Sequence, residues 1–340
     1  MKRNNFKKAP FFIAEISGNH GGKISNAKKL IYFAKKGGAN AVKLQTYTPD
    51  MMTIKSKKFK IKSGLWANNN LWDLYKKAHT PIHWHKELFA YARKIKIEIF
   101  STPFSVEAVD ILEKLNTKFY KISSFEMNDL NLVKKVASTR KPLIISTGLA
   151  SLDEISKTVK IAKKYGCKDL SLLYCVSNYP SRVTDFNLNN IEILKRKFKC
   201  RVGLSDHSIG SEIACMSIIK GAEIIEKHIC LNNLKTVDSK FSLKAKDIKK
   251  FKLDISRAKD LINNKNFVLA KNQHNKKFRR SIYAINNIRK GQKFSEKNIK
   301  TFRPDVGLSS IHYLNLINKK SPKFIKKYKV LEKNLLKKIN

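Results

Sequence analysis

Gly203-Leu204-Ser205-Asp206-His207, followed shortly by Glu226-Lys227-His228, is the part of the chain on which the fold turns. Each segment is a short apolar run that ends at a histidine. Val202 to Leu204 reads as a buried strand, and so does Ala222 to Ile225. Parallel neighbours lie ~4.8 Å apart, so two imidazoles at their C-terminal ends are close enough to share a divalent ion. A single histidine near a strand end is ordinarily structural. Two, on separate strands and each with a flanking acid, leave the structural and the metal readings both open.

Working outward, the same strand-then-helix alternation recurs in both directions. Ala9 to Ile16 is a first strand, followed by a helix over Ser25 to Lys36 that Gly37-Gly38 closes. Ala41 to Gln45 is a second strand. The long segment from Tyr47 to Pro81 carries Trp66, Trp72 and Tyr75, and a loop of that length in a compact domain is usually functional. Helices are predicted over Trp84 to Lys94, Val106 to Leu115, Leu130 to Ala137 and Leu188 to Phe198. The strands between them are Ile95 to Phe100, Phe119 to Ile122, Pro142 to Ser146 and Leu170 to Cys175. Ser151 and Glu154 form a capping box for another helix. A helix around Glu212 to Ile219 separates the two histidine strands, and a last long one spans Ala245 to Ile262.

Eight such units over the first part of the chain suit a (β/α)8 barrel of the TIM type. An open doubly wound sheet is the rival, but no Gly-rich dinucleotide fingerprint follows the first strand. Position decides. Glu15, Lys43, Thr102, Lys121, Ser146, Ser177, His207 and His228 all fall at or just past a predicted strand end, which in a barrel is the active-site face. Residues 1–264 are assigned to the barrel and 265–278, polar and basic, to a linker. Residues 279–340 form a small, mostly β module, with a strand over Ser281 to Ile285 and helix-like pieces around Ser295 to Ile299 and Ser310 to Leu316.

Composition sets the outer limits. With 340 residues and 42% hydrophobic content the chain can bury a sizeable core. No apolar run approaches the ~20 residues of a membrane span, and no secretory signal pattern follows the basic start. The five cysteines form no C-x-x-C pair and read as buried reduced thiols, which suits the cytoplasm. The formal charge of +45 invites a nucleic-acid reading. The lysines are nevertheless dispersed over nearly every helix, without clustered stacking aromatics, so no nucleic-acid partner is expected. Chemically, lysines and hydroxyls on the ring suit phosphate or carboxylate. Two histidines with open positions make a Lewis-acid site. Glu15 and Glu126 suit proton transfer or sugar hydroxyls. A metal-dependent enzyme that joins an anionic phosphorylated compound to a carbonyl substrate accommodates all of these.

The ordered motifs Ala14-Glu15-Ile16-Ser17-Gly18-Asn19-His20, Lys43-Leu44-Gln45-Thr46-Tyr47, Ser101-Thr102-Pro103-Phe104, Lys121-Ile122-Ser123-Ser124-Phe125-Glu126, Ile145-Ser146-Thr147-Gly148, Gly203 to His207 and Glu226 to His228 resemble the sialic acid synthase family. Arg279-Arg280-Ser281 and Arg303-Pro304 resemble its C-terminal antifreeze-like (SAF) domain. Phe125 and Ser177 stand where the neuraminate branch usually carries other residues. The resemblance implies condensation of phosphoenolpyruvate with a 2,4-diacetamido-2,4,6-trideoxy hexose to give pseudaminic acid and phosphate, with neuraminate or legionaminate synthesis as the alternative. It implies that Lys43, Thr102, Lys121, Ser124, Ser146 and Ser205 hold phosphoenolpyruvate, with Ser177 in place of a phosphate-contacting Asn. His207 and His228 would bind Mn2+ or Mg2+. Glu15, Glu126, Tyr179 and Asp238 would handle the sugar and the water. It further implies a homodimer with exchanged C-terminal domains, in which Arg303 of one subunit reaches the other's site. His20, His79, His83 and His85 stand either behind the site, supporting the residues that line it, or as purely structural residues, with the structural reading taken for His79 and His83.

Overall fold

The computed structural model describes residues 9–56, 58–262, 266–270 and 273–339. The chain divides into two compact units, Met1–Lys265 and Asn266–Asn340. The expected boundary at 264/265 and parts of the 265–278 linker lie outside the described residues.

In the first unit, β1 (Phe11–Glu15), α1 (Ile24–Lys36), β2 (Ala41–Thr46), α2 (Pro49–Met52), α3 (Leu71–Ala78), α4 (Trp84–Lys94) and β3 (Glu98–Pro103) come first. Then follow α5 (Val106–Lys114), β4 (Tyr120–Ile122), α6 (Leu130–Ser138), β5 (Leu143–Ser146), α7 (Leu152–Lys164) and β6 (Leu170–Cys175). The unit ends with α8 (Asn189–Phe198), β7 (Arg201–Asp206), α9 (Glu212–Ile219), β8 (Ile224–Cys230), the two-residue β9 (Leu243–Lys244) and α10 (Ile248–Asp260). Neighbouring strands pair in parallel from β1 to β8, and β1 also pairs with β8, which closes the barrel. The capping box at α7 is formed: Ser151 N–H donates to Glu154 Oε2 at 2.8 Å, and Glu154 N–H donates to Ser151 Oγ at 3.3 Å.

The strand period of two builds the interior. Ile13, Ala41, Phe100, Phe119, Ile144, Leu173 and Ile224 form an apolar plug inside the barrel. Gly203 completes it, because a Cβ there would stand 2.2 Å from the Ile224 carbonyl oxygen. Outward-facing partners such as Phe12, Ala14, Val42, Leu172 and Ile225 pack against the helices. Two strands differ most from their sequence reading. β3 starts only at Glu98, since Lys96 sits in a turn at φ 59°. β8 runs on to Cys230, so His228 lies within the strand and not past its end. It extends because β1 offers it a ladder as far as Glu15–His228, and β9 continues it at Ile229–Leu243 and Cys230–Lys244.

The second unit has an antiparallel pair, β10 (Ser281–Ala284) with β11 (Ile299–Phe302), and the short α11 (Tyr313–Leu316). Its own core gathers Ile282, Ile288, Phe294, Ile299, Leu308, Leu316 and Leu331. The helix expected around Ser295 to Ile299 is instead a turn leading into β11. Asn298 holds it, accepting from Ser295 N–H at 2.8 Å and donating to the Lys293 carbonyl at 2.9 Å, a side-chain bond that competes with helix.

Candidate active site

Moving two residues along each strand from the apolar plug reaches Glu15, Lys43, Thr102, Lys121, Ser146, Cys175, Ser205 and Glu226. This ring of mostly polar side chains is buried. Five of the expected residues (Glu15, Lys43, Thr102, Lys121, Ser146) stand in it. The other three of the expected ring, Ser177, His207 and His228, come one strand repeat later, and Cys175, Ser205 and Glu226 occupy the ring on β6, β7 and β8. The period-two rule applied from Leu173, Gly203 and Ile224 names those three.

Glu226 is a candidate site residue that the sequence reading noted only as the acid flanking His228. It accepts from Lys121 Nζ at 2.9 Å and from Ser205 Oγ at 3.3 Å, and Lys43 Nζ is 3.9 Å away. Lys43 pairs with Glu15 and reaches Thr102 Oγ1 at 3.0 Å. Burial, opposed by Lys43, leaves the Glu15 carboxyl raised to about 7. Burial works against Lys43, but Glu15 and Glu226 outweigh it and hold the ammonium above its usual range. Two cations and two carboxylates thus form the floor, with Ser146 Oγ buried and unpartnered beside them. Ser124 Oγ accepts from Gly148 N–H at 3.1 Å. A Cβ on Gly148 would stand 2.5 Å from Ser177 Oγ, so only glycine lets these loops meet.

Above the floor the two imidazoles face each other with ring centres 5.4 Å apart. His207 Nδ1 lies 2.9 Å from the Val176 carbonyl. A carbonyl only accepts, so Nδ1 carries a proton and Nε2 is the ring nitrogen left to meet a ligand. Burial lowers His228 well below the usual imidazole range, and its buried Nδ1 has no hydrogen-bond partner. The Asp238 carboxylate is 3.9 Å from that nitrogen, and burial raises its carboxyl above the usual range. An orphaned imidazole nitrogen beside a second imidazole fits a divalent ion held by two protein ligands, with its other coordination positions open. The described residues contain no cluster of three or more metal-ligating side chains.

Asp238 is placed by the Ser17–His20 turn. Ser17, at φ 49°, donates its hydroxyl to Asp238 and its N–H to Glu15 Oε1 at 3.1 Å. Asn19 donates to the Ile229 carbonyl at 2.9 Å and to Ser242 Oγ at 2.8 Å. The turn therefore ties the 231–242 loop to the barrel, a role invisible in one dimension. The Tyr179 ring lies 4.4 Å from the His207 ring, tilted by 42°. Glu126 is raised by burial and bonded to Ser123. His20 and His85 are clamps below the surface: Thr46 Oγ1 meets His85 Nε2 at 2.9 Å and Thr80 Oγ1 meets His20 Nε2 at 3.3 Å. Arg303 follows β11 in the second unit and is exposed.

Floor and imidazoles line one cavity of about 420 Å³, together with Tyr179, Glu126 and Asp238. The segment between β2 and α4 forms much of its opposite wall, through Met52, Ile61, Trp66, Leu71, Leu74 and Tyr75. Among the described residues no helix is long and apolar enough to cross a membrane.

The sequence pattern of the NeuB family matches residues 30–266. The chain is 43% identical over 332 residues to the pseudaminic acid synthase of Campylobacter jejuni serotype O:2, covering 96% of this chain and 97% of that one. It is 41% identical to the pseudaminic acid synthase of Helicobacter pylori, covering 93% and 95%. Among solved structures, an N-acetylneuraminic acid synthetase from Leptospira borgpetersenii superposes with a TM-score of 0.70 at 31% identity, over 77% of this chain and 88% of that one.

Proposed function

The chain belongs to the NeuB family, and from that premise we propose that it condenses phosphoenolpyruvate with 2,4-diacetamido-2,4,6-trideoxy-β-L-altropyranose to give pseudaminic acid and phosphate. It is an enzyme of the transferase class. The observation that carries the reading is the cavity itself, in which an anion-binding floor meets an imidazole pair.

Lys43 and Lys121, with Thr102, Ser124, Ser146 and Ser205, hold the phosphate and carboxylate of phosphoenolpyruvate by charge-assisted bonds. Ser177 approaches the same place beside Gly148. The methylene carbon attacks the aldehyde carbon of the open-chain sugar and forms the new C–C bond. Water adds to the electron-poor enol carbon, and the C–O bond to phosphate breaks. The proton that water loses balances the one the sugar oxygen gains. Glu15, raised to about 7, is suited to carry it near neutral pH. Asp238, fixed by Ser17, orients the water, and Glu126 and Tyr179 orient the sugar. His207 and His228 would hold a divalent ion, Mn2+ or Mg2+, which supplies polarisation of the aldehyde oxygen when bound.

The second unit is read as an antifreeze-like module. The active unit is a homodimer in which Arg303 of one copy serves the barrel of the other. The setting is the cytoplasm. Phosphate release measured with phosphoenolpyruvate and three acceptors tests the reaction: the diacetamido-trideoxy hexose, its legionaminate counterpart and N-acetylmannosamine. Preference for either of the last two refutes it.

A further inference from the structure

The wall opposite the catalytic floor has no counterpart in the chemistry described so far. Residues 59–71 form a small hairpin: Ile61 N–H donates to the Asn69 carbonyl, Asn68 N–H to the Ile61 carbonyl and Leu71 N–H to the Phe59 carbonyl, each at 2.9 Å. Its tip carries Trp66. The indole N–H donates to the Val237 carbonyl at 3.0 Å, and so latches the hairpin to the loop that bears Asp238. The indole ring lies 5.1 Å from the Tyr179 ring and 6.4 Å from the Phe241 ring. Those two rings in turn stand on the imidazoles, Tyr179 at 4.4 Å from His207 and Phe241 at 4.9 Å from His228. Ile61, Leu71, Leu74 and Val237 line the cavity around it. An apolar wall of the cavity therefore lies beside the imidazole pair.

Polar sugars do not need such a surface. A 2,4-diacetamido-2,4,6-trideoxy hexose does, because it carries three methyl groups: one on each acetamido group and one at C6. Resting on the reaction proposed above, we infer that Trp66 is a specificity-determining residue. Latched to Val237, it forms with Ile61, Leu71 and Leu74 an apolar seat that recognises the acetamido methyls of the sugar. Its hydrogen bond and ring contacts are with Val237, Tyr179 and Phe241, none of them assigned to phosphoenolpyruvate, so its effect falls on the sugar and on the Asp238 loop it latches, not on phosphoenolpyruvate binding.

The test pairs a protein change with a substrate change, so that their coupling is read directly. The substrate change is the same hexose with formamido in place of acetamido groups, which lacks two methyls. In wild-type protein this analogue should lose roughly 10²-fold in kcat/KM, about tenfold per methyl. In Trp66→Ala the parent sugar should lose a similar factor, and the penalty for the formamido analogue should shrink to about tenfold or less. Trp66→Phe, which keeps the ring but not the N–H, should retain most of the methyl discrimination if the latch holds through packing. The KM for phosphoenolpyruvate should stay within about threefold, since no seat contact reaches it. Turnover of the parent sugar by wild-type protein is measured first and decides the proposed reaction by itself. If wild type prefers another acceptor, reaction and seat fall together. If it prefers the diacetamido sugar and Trp66→Ala leaves the analogue's penalty unchanged, the seat alone is refuted.

Discussion

Asp206 and Lys227 immediately precede the two imidazoles and form an ion pair that does not line the cavity. Lys227 Nζ is 2.6 Å from Asp206 Oδ2 and donates to the Ser208 carbonyl at 2.7 Å, with the two side chains 1% and 0% exposed. Asp206 Oδ1 also accepts from Ser208 N–H at 2.9 Å and from Ser208 Oγ at 2.6 Å. This network sets the position of β7 against β8, and hence of His207 against His228. Asp206→Asn keeps the shape but strands an ammonium in the interior. Removing one partner of a buried pair costs about 3–5 kcal/mol. At about 2–4 °C per kcal/mol for a domain of this size, the melting temperature should fall by roughly 6–20 °C. Displacing an imidazole by a fraction of an ångström should also lower kcat/KM by up to about 10²-fold. The double variant Asp206→Leu/Lys227→Met should recover much of the stability, because apolar replacements of a buried pair are often neutral, yet little of the activity. Urea unfolding read by circular dichroism, together with phosphate release, measures both. Asp206→Asn unfolding within about 1 kcal/mol of wild type would refute the reasoning, since the ammonium would then be compensated elsewhere.

Three further outcomes are expected. Chelator-treated protein should be inactive and should recover with Mn2+, and His207→Ala and His228→Ala should each abolish turnover while circular dichroism stays unchanged; full activity after thorough chelation sinks the metal reading. Mixing His228→Ala with Arg303→Ala protein should restore part of the activity once subunits exchange, because some mixed dimers then hold one complete site; demonstrated exchange without recovery removes Arg303 from the partner's site. Burial holds His20 and His85 down to about 4 from an ordinary 6.5. The unfolded chain therefore binds the extra protons first, so their contribution is complete above pH 6.5 and is lost as pH falls toward 4. Unfolding free energy measured across that window should decline, and the double variant His20→Asn/His85→Gln should decline less steeply; an unchanged slope assigns the acid sensitivity to other groups.

Most of the barrel was legible because its signals are local. The capping box of Ser151 and Glu154 and the helical spacing of Ala27, Leu30, Ile31 and Ala34 each depend on residues within a turn or two. So does the alternation that turns Ile13 and Glu15 to the same side of β1. The two histidines were legible for the same reason, as polar interruptions of apolar runs. The family motifs also carried the expected roles of Lys43, Lys121, His207 and His228 before any contact was known. Tertiary structure alone decided which strand residues share a level. Strand lengths depend on the ladder a neighbour offers, so β8 extends beyond its apolar run, and Glu226 rather than His228 meets Lys121. It alone brought Ser17 to Asp238, across 221 residues of chain, and Trp66 to Val237, across 171. No local pattern encodes such pairs, because each partner satisfies its own neighbourhood equally well until the barrel closes and the loops meet over its mouth.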